Sequence, residues 1–165
     1  ELVQKYGVDP VRYFLLREIP SGEDGNFSLE KFEERYNGDL ANGLGNFASR
    51  VLTLASDPNL QIHPNDTNVD KEVEQKIQKV RNNVDKKIEE FKLNEALEAI
   101  WSLIHFGDQY VNEKKPWEKS QSADSKAQTV FNLVVILDNA AAMLAPFLPE
   151  TSEKITKSIV WEGKM

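Results

Sequence analysis

Apolar residues recur along most of this chain at separations of three and four, the spacing that lines up side chains on one face of an α-helix. Four long stretches carry the pattern. The first is expected to run from a Ser28 cap, with Glu30 and Lys31 in its first turn, to about Ser56, with Leu40, Leu44, Phe47, Val51 and Leu54 on its apolar face. The second, about Val69 to Phe91, has a narrow stripe of Val69, Val73, Ile77, Val80, Val84, Ile88 and Phe91 on an otherwise charged surface. Asn94 is expected to cap the third, whose stripe is Ala96, Leu97, Ile100, Trp101, Ile104 and Tyr110. Pro116 must disturb that helix, because its ring clashes with the preceding turn and it has no amide proton. The fourth, about Ser125 to Leu144, is apolar around much of its circumference and should be the most buried.

The segments between the stripes punctuate them. Gly7 separates two short helices near the start; Asp9 is expected to cap the second, Pro10 fits its first turn, and Pro20 closes it before the turn-rich SGEDGN loop. Pro58 and Pro64 bracket a polar loop ending near Asn68, Ser120 to Ser125 is a polar connector, and Pro146 and Pro149 set off a short closing helix from about Thr151. No segment alternates with the period of a strand and no repeat is present. The fold class that follows is all-α, an antiparallel helix bundle preceded by short helices.

Composition narrows what such a bundle can do. The chain has 165 residues, 40% apolar and 28% charged, enough for one domain with a core and too apolar for disorder. No apolar run approaches the roughly 18 residues that mark a membrane span; the stretch Val130 to Leu148 is interrupted by Asn132, Asp138 and Asn139 and reads as a core helix. Absence of cysteine removes disulfides, thiolate metal ligands and thiol catalysis, and the two histidines, His63 and His105, are too far apart in sequence to suggest a metal site. The chain begins at a glutamate, so it is expected to be a fragment. Its net charge of −7 argues against sequence-blind binding of polyphosphates, which needs a basic surface, but leaves room for recognition of a few unpaired bases.

Two constellations have chemical potential. Asn42, Asn46 and Arg50 are spaced by four, away from the apolar face of the first long helix. An amide offers donor and acceptor together and a guanidinium offers a planar fork of donors, a set that can read a base edge or simply face solvent. Gly43 and Gly45 lie beside this stripe, each costing a helix interior on the order of 1 kcal/mol relative to alanine. Close packing of another helix or approach of a ligand would account for them. The second constellation is YVNEKKPWEK, Tyr110 to Lys119, where Trp117 follows Pro116 at a helix break flanked by lysines. Such an indole can stack on an unpaired base or merely cover the bundle end. Trp101, in an apolar stripe, reads as core, and Trp161 carries no signal. The adjacent pairs Glu33–Glu34 and Glu89–Glu90 point in different directions on a helix, Ser21 to Gly25 lacks the lysine–serine sequel of a phosphate loop, and nothing assembles a nucleophile, base and oxyanion site. The chain is expected to be non-catalytic.

Four segments together carry a family resemblance. YGVDPVRYFLLREIPSGEDGNFS, Tyr6 to Ser28, resembles the stretch after the KMSKS loop of methionyl-tRNA synthetases. DLANGLGNFASR, Asp39 to Arg50, resembles the first long helix of their anticodon-binding domain, YVNEKKPW the segment with their stacking tryptophan, and MLAPFLPETSEKI, Met143 to Ile155, their closing helices. The resemblance implies residues 1–27 as the end of a stem-contact region and 28–165 as a helical anticodon-binding domain. It implies that Trp117 stacks on an anticodon base and that Asn46 and Arg50 contact the wobble cytosine, with Asn42 in support. Asn112 stands where some members of the family have an acidic residue. The implied partners are methionine tRNA, through its CAU anticodon loop, and the enzyme's own catalytic domain; no membrane is implied, and the implied location is the cytoplasm. ATP with magnesium is implied for the parent methionine–tRNA ligase, and no cofactor or metal for this chain. Two other readings stay open, a helical scaffold for protein or interdomain docking and the anticodon domain of another class I synthetase.

Overall fold

The computed structural model describes residues 1–22, 24–60, 62 and 68–159. Glu23 of the SGEDGN loop, His63, Pro64 and Trp161 therefore lie outside the described residues. Two short helices open the chain, α1 (Leu2–Tyr6) and α2 (Val8–Glu18), separated by Gly7 at φ 89. A continuous helical rod follows, made of α3 (Leu29–Arg35), a π-helical segment (Tyr36–Gly45) and α4 (Asn46–Ala55). The remaining elements are α5 (Lys71–Glu89), α6 (Leu93–Lys114), α7 (Ala123–Leu144) and the short α8 (Pro149–Ser158). No strand occurs among the described residues, so the chain is all-α, as its periodicity predicts.

The helix starts show local chemistry at work. Ser28 caps α3 as expected, its Oγ accepting from the Lys31 amide at 3.2 Å. Ser122 does the same for α7, three residues ahead of the expected start. Asn94 does not cap α6, which already begins at Leu93, a shift of the size usual for helix ends. Asp9 is the more informative correction. It lies inside the first turn of α2, and its buried Oδ2 accepts from the Thr151 amide at 2.7 Å. It satisfies a free donor at the start of α8, a helix 142 residues away.

The rod, α5, α6 and α7 make the bundle, up and down in turn, so the rod lies alongside α6 running in the same direction. Asp70 and Tyr110 tie the start of α5 to the far end of α6 through a 2.8 Å hydrogen bond, and Asn132 of α7 joins both. Asn132 is fully buried, and its amide donates to Tyr110 Oη while its Oδ1 accepts from the Asp70 amide, so its polarity is satisfied at no cost to packing. The stripe of α5 is buried at Val73, Ile77, Val80 and Val84. Phe91, expected on that stripe, lies past the helix end at φ 58 and is 75% exposed, because the chain turns there toward α6. Helix α7 is long and apolar enough to cross a bilayer by length and composition alone, but two thirds of its apolar window is covered by the other helices.

The opening segment packs closely on the bundle. Tyr6, Phe14, Phe27, Phe32 and Tyr36 form an aromatic cluster of their own, with Tyr6 and Phe32 centroids 4.9 Å apart. Tyr13 crosses into the main core against Trp101 at 4.7 Å, and Arg12 donates to the Phe147 and Pro146 carbonyls. These contacts tie the opening segment to α6 and to the turn before α8.

Candidate nucleic-acid interface

The π segment shapes the rod. In a π-helix each amide reaches back five residues, so the turn is wider than in an α-helix, and such turns are frequent at functional sites. A Cβ on Gly45 would stand 3.0 Å from the Leu40 carbonyl oxygen, five residues back. A Cβ on Gly43 would stand 3.4 Å from the Gly38 carbonyl and 3.5 Å from Trp101 Nε1 on α6. The two glycines that break the helix rule thus serve the wide turn and a close approach of α6. The single regular helix expected from Ser28 to Ser56 is corrected accordingly.

Past the wide turn, Asn46 and Arg50 lie four apart on α4 and share a face, with Asn42 inside the π segment. All three are exposed. Neither asparagine makes a side-chain hydrogen bond among the described residues, so both amides are available. Arg50 is engaged on one nitrogen: its Nη1 donates to Asn112 Oδ1 at 3.2 Å and lies 3.7 Å from Asp108 Oδ1. Nε and Nη2 make no hydrogen bond among the described residues.

Phe47 and Gly107 make this meeting possible. Phe47 is fully buried, and a Cβ on Gly107 would come within 2.3 Å of its ring. Only a glycine lets α6 approach this near, so the sequence reading missed the residue that sets the spacing. It also missed Asp108, one turn before Asn112 on the same face of α6. Burial raises the Asp108 carboxyl above its ordinary value of 3.8, against the opposing pull of Arg50 and His105.

Helix α6 ends at Lys114. Lys115 takes a left-handed conformation, φ 43, and its amide donates to the Val111 carbonyl. That conformation is costly for a side chain with a Cβ and more so before proline. Pro116 is buried, and the Glu118 amide closes the turn on the Lys115 carbonyl at 2.9 Å. The rigid corner presents Trp117, 51% exposed, five residues beyond Asn112 at the same end of the bundle. Of the flanking lysines, Lys115 is paired with Glu118 at 3.4 Å, and Lys114 lies over the Tyr110 ring. Trp101 is 7% exposed and belongs to the core, as read from its stripe.

The structure thus brings Arg50 and Asn112 into contact and places Trp117 beyond them. Asn42 and Asn46 lie on the rod with no contact to α6 side chains through hydrogen bonds. Several charges elsewhere pair within the fold. A cavity of about 370 Å³ between α2, the rod and α6 is lined by Arg17, Arg35, Asp39 and Glu98. In it Arg17 pairs with Glu98 at 2.9 Å, and Arg35 with Glu18 and Asp39. Glu33 bonds Tyr6, and Glu90 pairs with Lys92 and Lys87. Among the described residues no three His, Cys, Asp or Glu side chains are grouped to hold a metal ion.

Comparison with known proteins shows the family of the chain. Residues 70–164, more than half of the chain, match the family described as the anticodon-binding domain of tRNA ligase, and residues 1–52 match the tRNA synthetases class I (M). The chain belongs to the anticodon-binding domain family of the tRNA ligases. Over 98% of its length it is 39% identical to the methionine–tRNA ligase of Clostridium acetobutylicum, and over 96% it is 37% identical to that of Caldanaerobacter subterraneus. The fold matches the apo methionyl-tRNA synthetase of Mycobacterium tuberculosis with a TM-score of 0.81 at 31% identity, over 93% of this chain. The same enzyme in complex with methionyl-adenylate matches with a TM-score of 0.80. The chain spans only 27% and 26% of those two curated relatives and 33% of the apo enzyme.

Proposed function

We propose that this chain is the anticodon-reading part of a methionine–tRNA ligase, and that its ligand is the CAU anticodon loop of methionine tRNA. The observation that carries the reading is the Arg50 guanidinium, held by Asn112 on the helix whose end, five residues further on, exposes Trp117. An unpaired base splayed from the loop stacks on the indole, a contact worth about 1–3 kcal/mol. The free Nε and Nη2 of Arg50 and the Asn46 amide then meet its edge, with Asn42 supporting from the preceding turn. Asn112 orients Arg50 through its Oδ1, which an uncharged amide does without adding negative charge next to RNA. A net charge of −7 fits a site that selects a few bases through stacking and hydrogen bonds, with little phosphate contact.

In this reading residues 1–27 end the stem-contact region and 28–165 form the anticodon domain. Methionine activation with ATP and magnesium belongs to the length of the relatives that this chain does not match, and no residue here is assigned to it. The partners are methionine tRNA and the enzyme's own catalytic domain, in the cytoplasm. The test is a titration with a CAU anticodon stem-loop and a UAU stem-loop at fixed salt. A preference for CAU of at least about tenfold is expected from one well-formed base contact. Equal affinity for the two loops overturns the reading.

A further inference from the structure

The Arg50 side chain has five N–H donors, and both of its contacts on α6 fall on Nη1. Asp108 and Asn112 are one turn apart on α6, so their oxygens meet that nitrogen from two directions. The opposite edge of the guanidinium, Nε–H and Nη2–H, is left as a parallel pair of donors. Such a pair matches two acceptors side by side. On its pairing edge cytosine presents N3 and O2 as adjacent acceptors; uracil and guanine have an N–H donor in the middle of that edge, and adenine has a single acceptor there.

We propose that Asp108 is a positioning residue for base selection: with Asn112 it locks Nη1 of Arg50 so that the free Nε/Nη2 edge is the one offered to the base. The proposal rests on the anticodon reading above and adds to it a residue and an orientation. Asp108 does not touch the base. Arg50 offsets only part of the cost of the partial burial of Asp108, and a long, half-exposed arginine without that carboxylate samples many rotamers. A pairing at 3.7 Å between partly exposed groups contributes little to stability, so its effect belongs in selectivity.

The experiment measures affinity for CAU and UAU stem-loops with the wild-type chain, Asp108→Ala, Asp108→Asn, Asp108→Glu, Arg50→Gln and the Asp108→Ala/Arg50→Gln double variant. Thermal melts accompany each. Asp108→Ala is expected to lower the CAU-to-UAU preference by roughly five- to tenfold, the scale of one oriented base contact, with little change in UAU affinity. Asp108→Asn should fall between, and Asp108→Glu should restore most of the preference. In the Arg50→Gln background Asp108→Ala should change nothing further, since its effect passes through that arginine. If Arg50→Gln abolishes the preference while Asp108→Ala and Asp108→Asn retain it, Asp108 does not position Arg50 and the anticodon reading stands. If the wild-type chain shows no preference, that reading itself fails. Equal losses on both loops for Asp108→Ala, together with a lower melting temperature that Asp108→Asn shares, assign Asp108 to structure and overturn the proposal.

Discussion

Trp101 and Trp117 lie sixteen residues apart on and just beyond one helix, and their surroundings could hardly differ more. Trp101 is 7% exposed, packed against Tyr13 and against the side-chain-free edge of the rod at Gly43. Trp117 is 51% exposed on a corner built from a left-handed Lys115 and a buried Pro116. The middle of α6 spends its indole on cohesion; the end of α6 holds an indole out on a backbone that is itself strained. The two indoles differ in exposure and in the backbone that supports them, not in residue type.

Truncating each indole breaks the comparison most directly. Trp101→Ala should destabilise the fold by about 3–5 kcal/mol, the usual cost of emptying a large buried aromatic. Trp117→Ala should change stability by no more than about 0.5 kcal/mol and weaken stem-loop binding by about 1–3 kcal/mol. Chemical denaturation and RNA titration of the two variants read both numbers, and equal losses of stability would erase the distinction. Gly107→Ala comes next. Its methyl group must displace the Phe47 ring, so a loss of about 1–3 kcal/mol in stability is expected, with a widened gap between α4 and α6 that also lowers CAU preference. Arg50→Lys should keep the fold and the charge yet lose about 1–2 kcal/mol of CAU-over-UAU discrimination, because an ammonium cannot present two parallel donors.

The smallest effect is an alkaline one that sharpens the core side of the comparison. Burial first, and then hydrogen bonds to Asp39 and Asp70, raise the hydroxyls of Tyr13 and Tyr110 above their ordinary value of 10.0. The unfolded chain ionises near that ordinary value while the folded one stays protonated. The stability the two rings contribute is therefore complete below about pH 10 and falls as pH rises beyond it. Denaturation midpoints should drop from about pH 10 upward, and Tyr110→Phe should flatten that drop.

The bundle was legible because its signals are local. Spacing of apolar residues located α5, α6 and α7, Ser28 announced a helix start, and proline at 116 marked the end of α6. The π segment left no such signature: a widened turn has no apolar period of its own, and Gly43 and Gly45 marked only that something near them was irregular. Asp9 was misread because its bond runs to Thr151, a partner that no window of sequence contains. The candidate site divides the same way. Trp117 could be singled out from its neighbours in sequence, and Arg50 from its stripe and family resemblance. That Arg50 meets the helix leading to Trp117 depends on a hydrogen bond from Arg50 to Asn112 across 62 residues and on the absence of a side chain at Gly107. Asp108 carries no motif at all, and only its distance to Arg50 brings it forward.

A stem-loop carrying 5-fluorocytosine at the first anticodon position places a probe on the base that is held to slot between the corner and the guanidinium. Its fluorine resonance should shift on saturation with the wild-type chain, in the ring field of the indole, and return close to its free position on saturation with Trp117→Ala. The same shift with both proteins, or no shift with either, would contradict stacking of the wobble cytosine on Trp117.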